Sequence, residues 1–564
     1  MTSGLSEAEA AARRAARGGP REPPASRSTS TIVRANAVTP FNAILLALGL
    51  LTLIFGDWRD ALFLGIIVAN TGIGVWQELR AREKLDALAA LVAPRATVVR
   101  DGEPRSAHVS ELVEGDLVRL SAGDARPAPD AVVVPVTGGQ VRAVLETCAA
   151  EDVAVVPFGG GTSVVGGVEP ERGGHRSVIA LDLGLLTRLV DLDQRSQLAT
   201  LEPGLRGPEV EHVLRARGFT LGHYPQSFEY ATVGGWVATR SAGQASAGYG
   251  RIDELVEGAR LVTPSGDVNL ATHPASAAGP DLRELVVGSE GILGVLTQVT
   301  LRVRPRPPAG RYEAWMLPSF EAGQEALRAC VQEEVSPDVA RLSDEPETTM
   351  SLALAGLEGT RAALLGRYLG ARGIERGSLM ITGWEGTPER VAVRRRATTA
   401  VLRRNGAAPL GAGPGRAWAR GRFHAPYFRD DLLARGVMVE TLETATTWTG
   451  LPGLLTAVRD ALSRHAPFVA CHVSHIYPTG ASLYFTFLAP QDPEDPIGQW
   501  RRAKADACDA IVAAGGTITH HHAIGRDHRR WLAAEDGALG IEALRAVKAT
   551  LDPAGIMNPG KLLP

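Results

Sequence analysis

A chain of 564 residues exceeds what one compact core organises, so two to four domains are expected, and its 45% hydrophobic content supplies apolar material for them. With 59 basic against 62 acidic side chains and a net charge of -3, there is no electrostatic ground for a nucleic-acid partner. Cys148, Cys330, Cys471 and Cys508 are too scattered for a CxxC pair or a thiolate metal cluster and fit a reducing compartment.

Residues 1–34, rich in Ala, Arg, Pro and Ser, read as loosely ordered apart from a helical stretch over 5–17. Two apolar stretches follow, 38–55 and 61–76, parted by Gly56-Asp57-Trp58-Arg59-Asp60. Each approaches the roughly 20 residues that a membrane-crossing helix needs, the second only with its flanks. Arg27 and Arg34 precede the pair and Arg80, Arg82 and Lys84 follow it, so a transmembrane hairpin at 35–79 with both ends cytoplasmic is expected. The competing reading is a pair of helices buried in a soluble domain. Beyond it, a helix over 78–91, a strand over 97–100 entering a turn at Asp101-Gly102, and a strand over 116–120 are predicted.

This front part resembles the amino-terminal part of a cation-transporting P-type ATPase. The resemblance rests on Arg34-Ala35-Asn36, Phe41-Asn42, Gln77-Glu78-Leu79-Arg80 and Gly115-Asp116-Leu117-Val118 leading to Ala122-Gly123-Asp124. It implies that 80–125 is a partial, β-rich actuator fragment. A TGES loop and a DKTGT motif are both missing from the chain, so pumping by the usual phosphoryl-aspartate route is excluded.

From Asp130 the character changes. A strand over 131–135, a helix over 140–150 and a strand over 153–156 lead into Pro157-Phe158-Gly159-Gly160-Gly161-Thr162-Ser163. Successive glycines after a strand allow converging N–H groups that suit a pyrophosphate, although a plain structural turn would look the same. The spacing matches neither GxGxxG nor GxxxxGK[ST]. Two apolar runs, 181–192 and 197–202, precede Gly222-His223-Tyr224-Pro225-Gln226-Ser227 and then Thr232-Val233-Gly234-Gly235, where small residues and hydroxyls invite a polar ligand. A third cluster, Gly288-Ser289-Glu290-Gly291-Ile292-Leu293-Gly294, opens an alternating strand over 295–303.

In this order and spacing the three clusters resemble the FAD-binding domain of the vanillyl-alcohol-oxidase type, the type 4 FAD-linked oxidases, and most closely the alkyldihydroxyacetonephosphate synthase family. The resemblance implies that Pro157, Phe158, Gly159, Gly160, Gly161, Thr162 and Ser163 wrap the pyrophosphate of FAD. It implies that Gln226, Ser227, Phe228, Glu229, Tyr230, Ala231 and Thr232, with Thr239, Arg240, Ser241 and Ala242, line the cofactor. Glu290, Gly291, Ile292, Leu293, Gly294, Val295 and Leu296 would hold its adenine-ribose side. With no histidine in 157–163, where many relatives attach flavin, the FAD is expected to be noncovalent.

Residues 308–506 alternate strands with helices, among them helices over 320–333 and 391–405, and read as a cap; Gly-Pro-Gly content marks 411–415 as a loop. The family resemblance assigns Arg429 to the substrate phosphate, which a guanidinium fork suits, with a surface ion pair as the bland alternative. Thr441 stands where the family usually has serine, and it and His223 are assigned to the substrate. Alternation along the strand over 480–487 puts Ser482, Tyr484 and Thr486 on one face. The family implies proton transfer for Tyr484; Tyr477 is the reserve, and a structural role is open for either. His520, His521 and His522 are read with the family as proton carriers, against an ordinary polar loop. No metal is expected, because consecutive residues on an extended chain point to opposite faces unless the backbone bends sharply.

The resulting expectation is an α+β fold: a two-subdomain FAD-binding domain of the vanillyl-alcohol-oxidase type at 127–307, an α+β cap at 308–506 and a closing segment at 507–564, preceded by the membrane hairpin. The implied activity is flavin-assisted exchange of the acyl group of acyl-dihydroxyacetone phosphate for a fatty alcohol. In that cycle C1 loses a proton, the fatty acid leaves, the carbon is trapped on flavin N5 and the alcohol displaces it, with no net oxidation. An FAD-linked oxidase of a 2-hydroxy acid or alcohol is one alternative; a nonproductive fusion of a pump fragment with a flavoprotein is another. Expected partners are the lipid phosphate, the fatty alcohol, the membrane through the hairpin, and a second copy in a homodimer; the location is membrane-associated with the flavin domain cytoplasmic.

Overall fold

The computed structural model describes residues 6–16, 95–101, 103–108, 117–119 and 128–564 except 358, and divides the chain into two units, Met1–Arg126 and Pro127–Pro564. In the first, the helix Glu7–Ala16 is started by a reciprocal cap: the Glu9 N–H donates to Ser6 Oγ at 3.2 Å while the Ser6 N–H donates to the Glu9 carboxylate at 2.9 Å. The strands Arg95–Arg100 and Glu103–His108 pair as a hairpin that turns at Asp101, whose φ is 52°, and Leu117–Arg119 pairs on the other edge of Arg95–Arg100.

The transmembrane hairpin expected at 35–79 lies outside the described residues, and the expectation of a membrane-spanning chain is corrected: among the described residues no helix is long and apolar enough to cross a membrane. The stretches that suggested it, 38–55 and 61–76, stand at or below the short end of the roughly 17–25 residues a membrane helix needs, and Asp57, Arg59 and Asp60 stand between them. The membrane partner and the membrane-associated location rested on that hairpin alone and go with it.

The second unit begins with a small parallel sheet in the order Ala131–Val133, Ser177–Asp182, Val153–Phe158. A crossover helix, Gly138–Ala150, starts where Thr137 Oγ1 accepts the Gln140 N–H and buries Val141, Leu145 and Cys148 against it. The chain end completes this layer: Val155 donates to the Ile556 carbonyl and Asn558 donates to the Val155 carbonyl, both at 2.8 Å. A five-stranded antiparallel sheet follows, ordered Gly266–Leu270, Val256–Thr263, Val295–Arg302, Leu198–Leu201, Leu189–Asp193. Together these two sheets and their helices stand where the two-subdomain FAD-binding domain is expected.

The cap is a seven-stranded antiparallel sheet: Ala408–Gly411, Ala309–Leu317, Ser378–Gly386, Val339–Ser343, Phe468–Ile476, Gly480–Pro490, Val437–Thr447. On Gly480–Pro490, Ala481, Leu483, Phe485 and Phe487 enter a core shared with the helices Phe320–Gln332, Leu451–Ser463 and Pro496–Ala513, each large side chain contributing about 1.5–3 kcal/mol. Tyr484 and Thr486 therefore face away from that core. The loop expected at 411–415 is instead the start of a helix, Ala412–Gly421. Pro414 sits in the first turn, where a missing N–H costs nothing, and a Cβ on Gly415 would lie 2.6 Å from the Glu313 backbone nitrogen. Glycine there serves close packing of helix on strand.

Candidate active site

Four segments converge at the flavin-binding subdomains. A Cβ on Gly160 would lie 2.1 Å from the Tyr230 carbonyl oxygen and one on Gly159 2.4 Å from Thr232 Oγ1, so the 157–163 loop packs against 226–232 only because it lacks side chains. Gly291, at φ 75°, brings the 290–296 turn against Pro157, and Gly288 lies against Arg240. Ser163 Oγ accepts from the Gly167 N–H at 2.9 Å, and Thr232 caps the helix Val233–Ala238. The predicted cofactor residues are thus brought together, but several side chains are occupied. Phe228 stacks on Phe423 of the cap at 5.1 Å, Ile292, Leu293, Val295 and Leu296 are core, and Tyr230 is exposed beside Tyr427. What these segments offer a dinucleotide is mainly backbone. His223 Nδ1 and Asn558 Oδ1 are buried without a protein partner, which suits a polar ligand in this cradle.

The reacting groups gather on one loop, and its organiser is a residue the sequence reading passed over. Glu443, fully buried on Val437–Thr447, accepts the backbone N–H groups of His520 at 2.8 Å, His521 at 2.7 Å and His522 at 2.8 Å, and the Thr519 hydroxyl at 2.8 Å. Burial alone would raise its carboxyl; the charge and hydrogen bond of His521, with His522 and His520, outweigh that and hold it well below the usual carboxylate range. Further along, Ile524 and Gly525 donate their N–H groups to Glu290 at 2.8 and 2.7 Å. The Glu290 side chain is therefore committed to this loop rather than free for the adenine-ribose side, and burial pushes its carboxyl to about 7. The histidine loop hangs between two carboxylates, one from the cap and one from the flavin domain.

Bending around Glu443 also removes the premise of an extended chain, since His475, His520 and His521 each bring a ring nitrogen within 4.8 Å of the others. The rings of His520 and His521 meet Nδ1 to Nδ1 at 3.1 Å, and His475 reaches Ser246 Oγ at 2.7 Å. Burial pushes His520 and His522 down to about 3, so both are neutral bases. Tyr484 lies directly across the sheet from Glu443, 4.8 Å from the His472 ring and 5.4 Å from that of His522. Burial pushes its phenol up to about 12, against a hydrogen bond from Thr441. Tyr477 stands at the opposite end, its hydroxyl 2.7 Å from His520 Nε2. The two tyrosines bracket the triple histidine.

His223 joins the group: its Nε2 meets Ser241 Oγ at 2.7 Å, and burial, then the charge of His521, lowers it to about 3. Arg429 does not join. It lies on Ala425–Leu433, a helix with no buried residue, and pairs with Asp430 at 3.2 Å. Glu443 and His475 were legible in principle as polar residues inside apolar strands, the commonest mark of a built site.

A glycine cradle for a dinucleotide under a cap that presents tyrosines and neutral imidazoles defines a two-domain flavoenzyme, and this chain is one. The family models agree: "FAD binding domain" matches residues 129–271 and "FAD linked oxidases, C-terminal domain" matches 306–562. The alkyldihydroxyacetonephosphate synthase of Trypanosoma brucei brucei is 34% identical over 480 residues, covering 82% of this chain and 78% of the relative. That of Dictyostelium discoideum is 33% identical, covering 80% and 76%. A solved alkyldihydroxyacetonephosphate synthase superposes with a TM-score of 0.63 at 30% identity over 76% of each chain. The chain belongs to the alkyldihydroxyacetonephosphate synthase family of FAD-linked enzymes. p-Cresol methylhydroxylase, at 16% identity and a TM-score of 0.59, shares the fold. The matched models begin at residue 129, and nothing in them supports the pump resemblance of 1–125, which rested on short dispersed pieces and is withdrawn. The cofactor is noncovalent FAD.

Proposed function

We propose that this chain is an FAD-dependent, alkylglycerone-phosphate synthase-like enzyme that exchanges the acyl group of acyl-dihydroxyacetone phosphate for a fatty alcohol. The observation that carries the reading is the array of three histidines whose backbone N–H groups donate to buried Glu443, with the Tyr484 ring packed against those of His521 and His522 and the same loop bonded through Glu290 to the flavin cradle. His522, neutral because buried, accepts the C1 proton, and the carboxylate of Glu443 beside it stabilises the imidazolium that forms. Tyr484 keeps its proton at neutral pH and donates it to the departing carboxylate. Thr441 orients the Tyr484 hydroxyl, and His223, tied to Ser241, presents its free Nδ1 to a substrate oxygen. The guanidinium proposed for the substrate phosphate is that of Arg429, carried on an exposed helix of the cap. FAD, when bound, supplies the ring system on which the exchange turns over without net oxidation.

The test is incubation of the purified flavoprotein with acyl-dihydroxyacetone phosphate and a fatty alcohol. Free fatty acid and alkyl ether in equal amounts, with no oxygen consumed, are expected. Bleaching of the flavin by a 2-hydroxy acid alone, without ether formation, would overturn the reading.

A further inference from the structure

We propose that Tyr477 and His520 form a proton wire that joins the histidine loop to solvent through an open cleft separate from the face carrying His522 and Tyr484. The inference rests on the reading above that this loop takes the C1 proton. The cleft, about 490 Å³, is lined by Tyr477 and His520 together with Arg240, Arg251 and a run of threonines, and it touches none of His521, His522 and Tyr484. Thr447 and Thr479 at its edge are exposed, so water reaches Tyr477 from this side.

From His521 outward the hydrogen bonds are continuous. The Tyr477 hydroxyl lies 2.7 Å from His520 Nε2, and His520 Nδ1 lies 3.1 Å from His521 Nδ1, so both nitrogens of His520 are engaged in line. A contact between two ring nitrogens at that distance holds one proton, on one ring or the other. Glu443, an acceptor only, reaches His521 Nδ1 at 3.3 Å and holds a proton there until His520 takes it. A neutral imidazole can gain a proton at Nδ1 while releasing one from Nε2. The step is therefore balanced: the N–H bond at His521 Nδ1 breaks and one forms at His520 Nδ1. The N–H at His520 Nε2 then breaks as an O–H forms on Tyr477, whose own proton passes to water in the cleft. The proton that leaves His521 is replaced by the one it takes from His522, whose ring centroid lies 4.8 Å from its own, so His521, His520 and Tyr477 end with their starting charges and His522 is reset to neutral. The Arg251 guanidinium, hydrogen-bonded to Tyr477 and held by Asp253 at 3.0 Å, steadies the phenol oxygen as it exchanges. Because C1 first loses a proton and later regains one, the wire runs outward and then inward within one turnover, and the second passage restores the tautomers.

The experiment uses holoenzyme and acyl-dihydroxyacetone phosphate carrying deuterium at C1, with fatty alcohol, in ordinary water. Wild type is expected to lose the exchangeable label to solvent in the ether it makes. Tyr477→Phe, its flavin spectrum unchanged, should return most of that label to the product, with KM for the acyl substrate unaltered. His520→Gln keeps hydrogen bonds to both neighbours but lacks a tautomer, and makes the same prediction should the phenylalanine variant fail to fold. Equal washout in wild type and variants would overturn the wire while leaving the exchange reaction standing. Absence of ether from wild type would overturn the functional reading and the wire with it.

Discussion

Glu443 offers the sharpest single-residue handle. It takes three backbone N–H groups and a hydroxyl with no solvent to replace it, so Glu443→Gln turns one acceptor into a donor facing donors. Loss of a buried charged partner costs about 3–5 kcal/mol, and denaturant titration should show that loss together with abolished turnover and retained flavin. A variant with wild-type stability would mean that the loop does not depend on this carboxylate. Arg429 tests the other extreme. Were it to grip phosphate on binding, Arg429→Ala would raise KM for the acyl substrate by about 10- to 100-fold, the value of a charge-assisted hydrogen bond of about 1.5–3 kcal/mol, with kcat little changed. An unchanged KM would leave it the surface partner of Asp430.

At the scale of elements, the loop's stability follows pH with a definite sign. Burial holds His223, His520 and His522 at about 3 against an ordinary 6.5, so between these values the unfolded chain binds protons that the folded chain refuses. Their stabilisation is complete above about pH 6.5 and drains as pH falls toward 3. Glu290 and Asp344, raised to about 7 by burial, act in the opposite sense as pH falls below 7, but they are fewer. Urea midpoints should therefore drop from pH 7 to pH 5, and His522→Gln should drop less; a flat profile would contradict the burial argument. In the cradle, Gly160→Ala places a methyl 2.1 Å from the Tyr230 carbonyl, so flavin absorbance should be lost while circular dichroism of the cap persists. Elements with strong local periodicity were readable from the chain, as in the helix Phe320–Gln332 and the strand Val295–Arg302. The helix Ala412–Gly421 was not, because its glycine and proline answer to a neighbouring strand rather than to their own segment. Likewise Glu443 and Glu290 could be seen as residues but not as anchors, since each bonds a loop far away in sequence.

For the whole molecule, every group assigned to cofactor or chemistry lies in the unit Pro127–Pro564, and none in Met1–Arg126. Removal of 1–126 should leave flavin content and ether formation unchanged; a folded but colourless product would show that the front unit supports the cradle. A similar economy holds for metals. Although three imidazole nitrogens come within 4.8 Å, the chemistry assigned to them is proton transfer, so dialysis against a chelator should leave turnover intact, and activity lost and restored by zinc would contradict it. In the proposed exchange the carbon–oxygen bond to the acyl group is broken and replaced by one to the alcohol oxygen. The most direct measurement is the mass of the ether made from a fatty alcohol whose hydroxyl carries heavy oxygen. Retention of that oxygen in the ether, with both ester oxygens leaving in the fatty acid, is expected; an ether without the heavy oxygen would rule out the exchange.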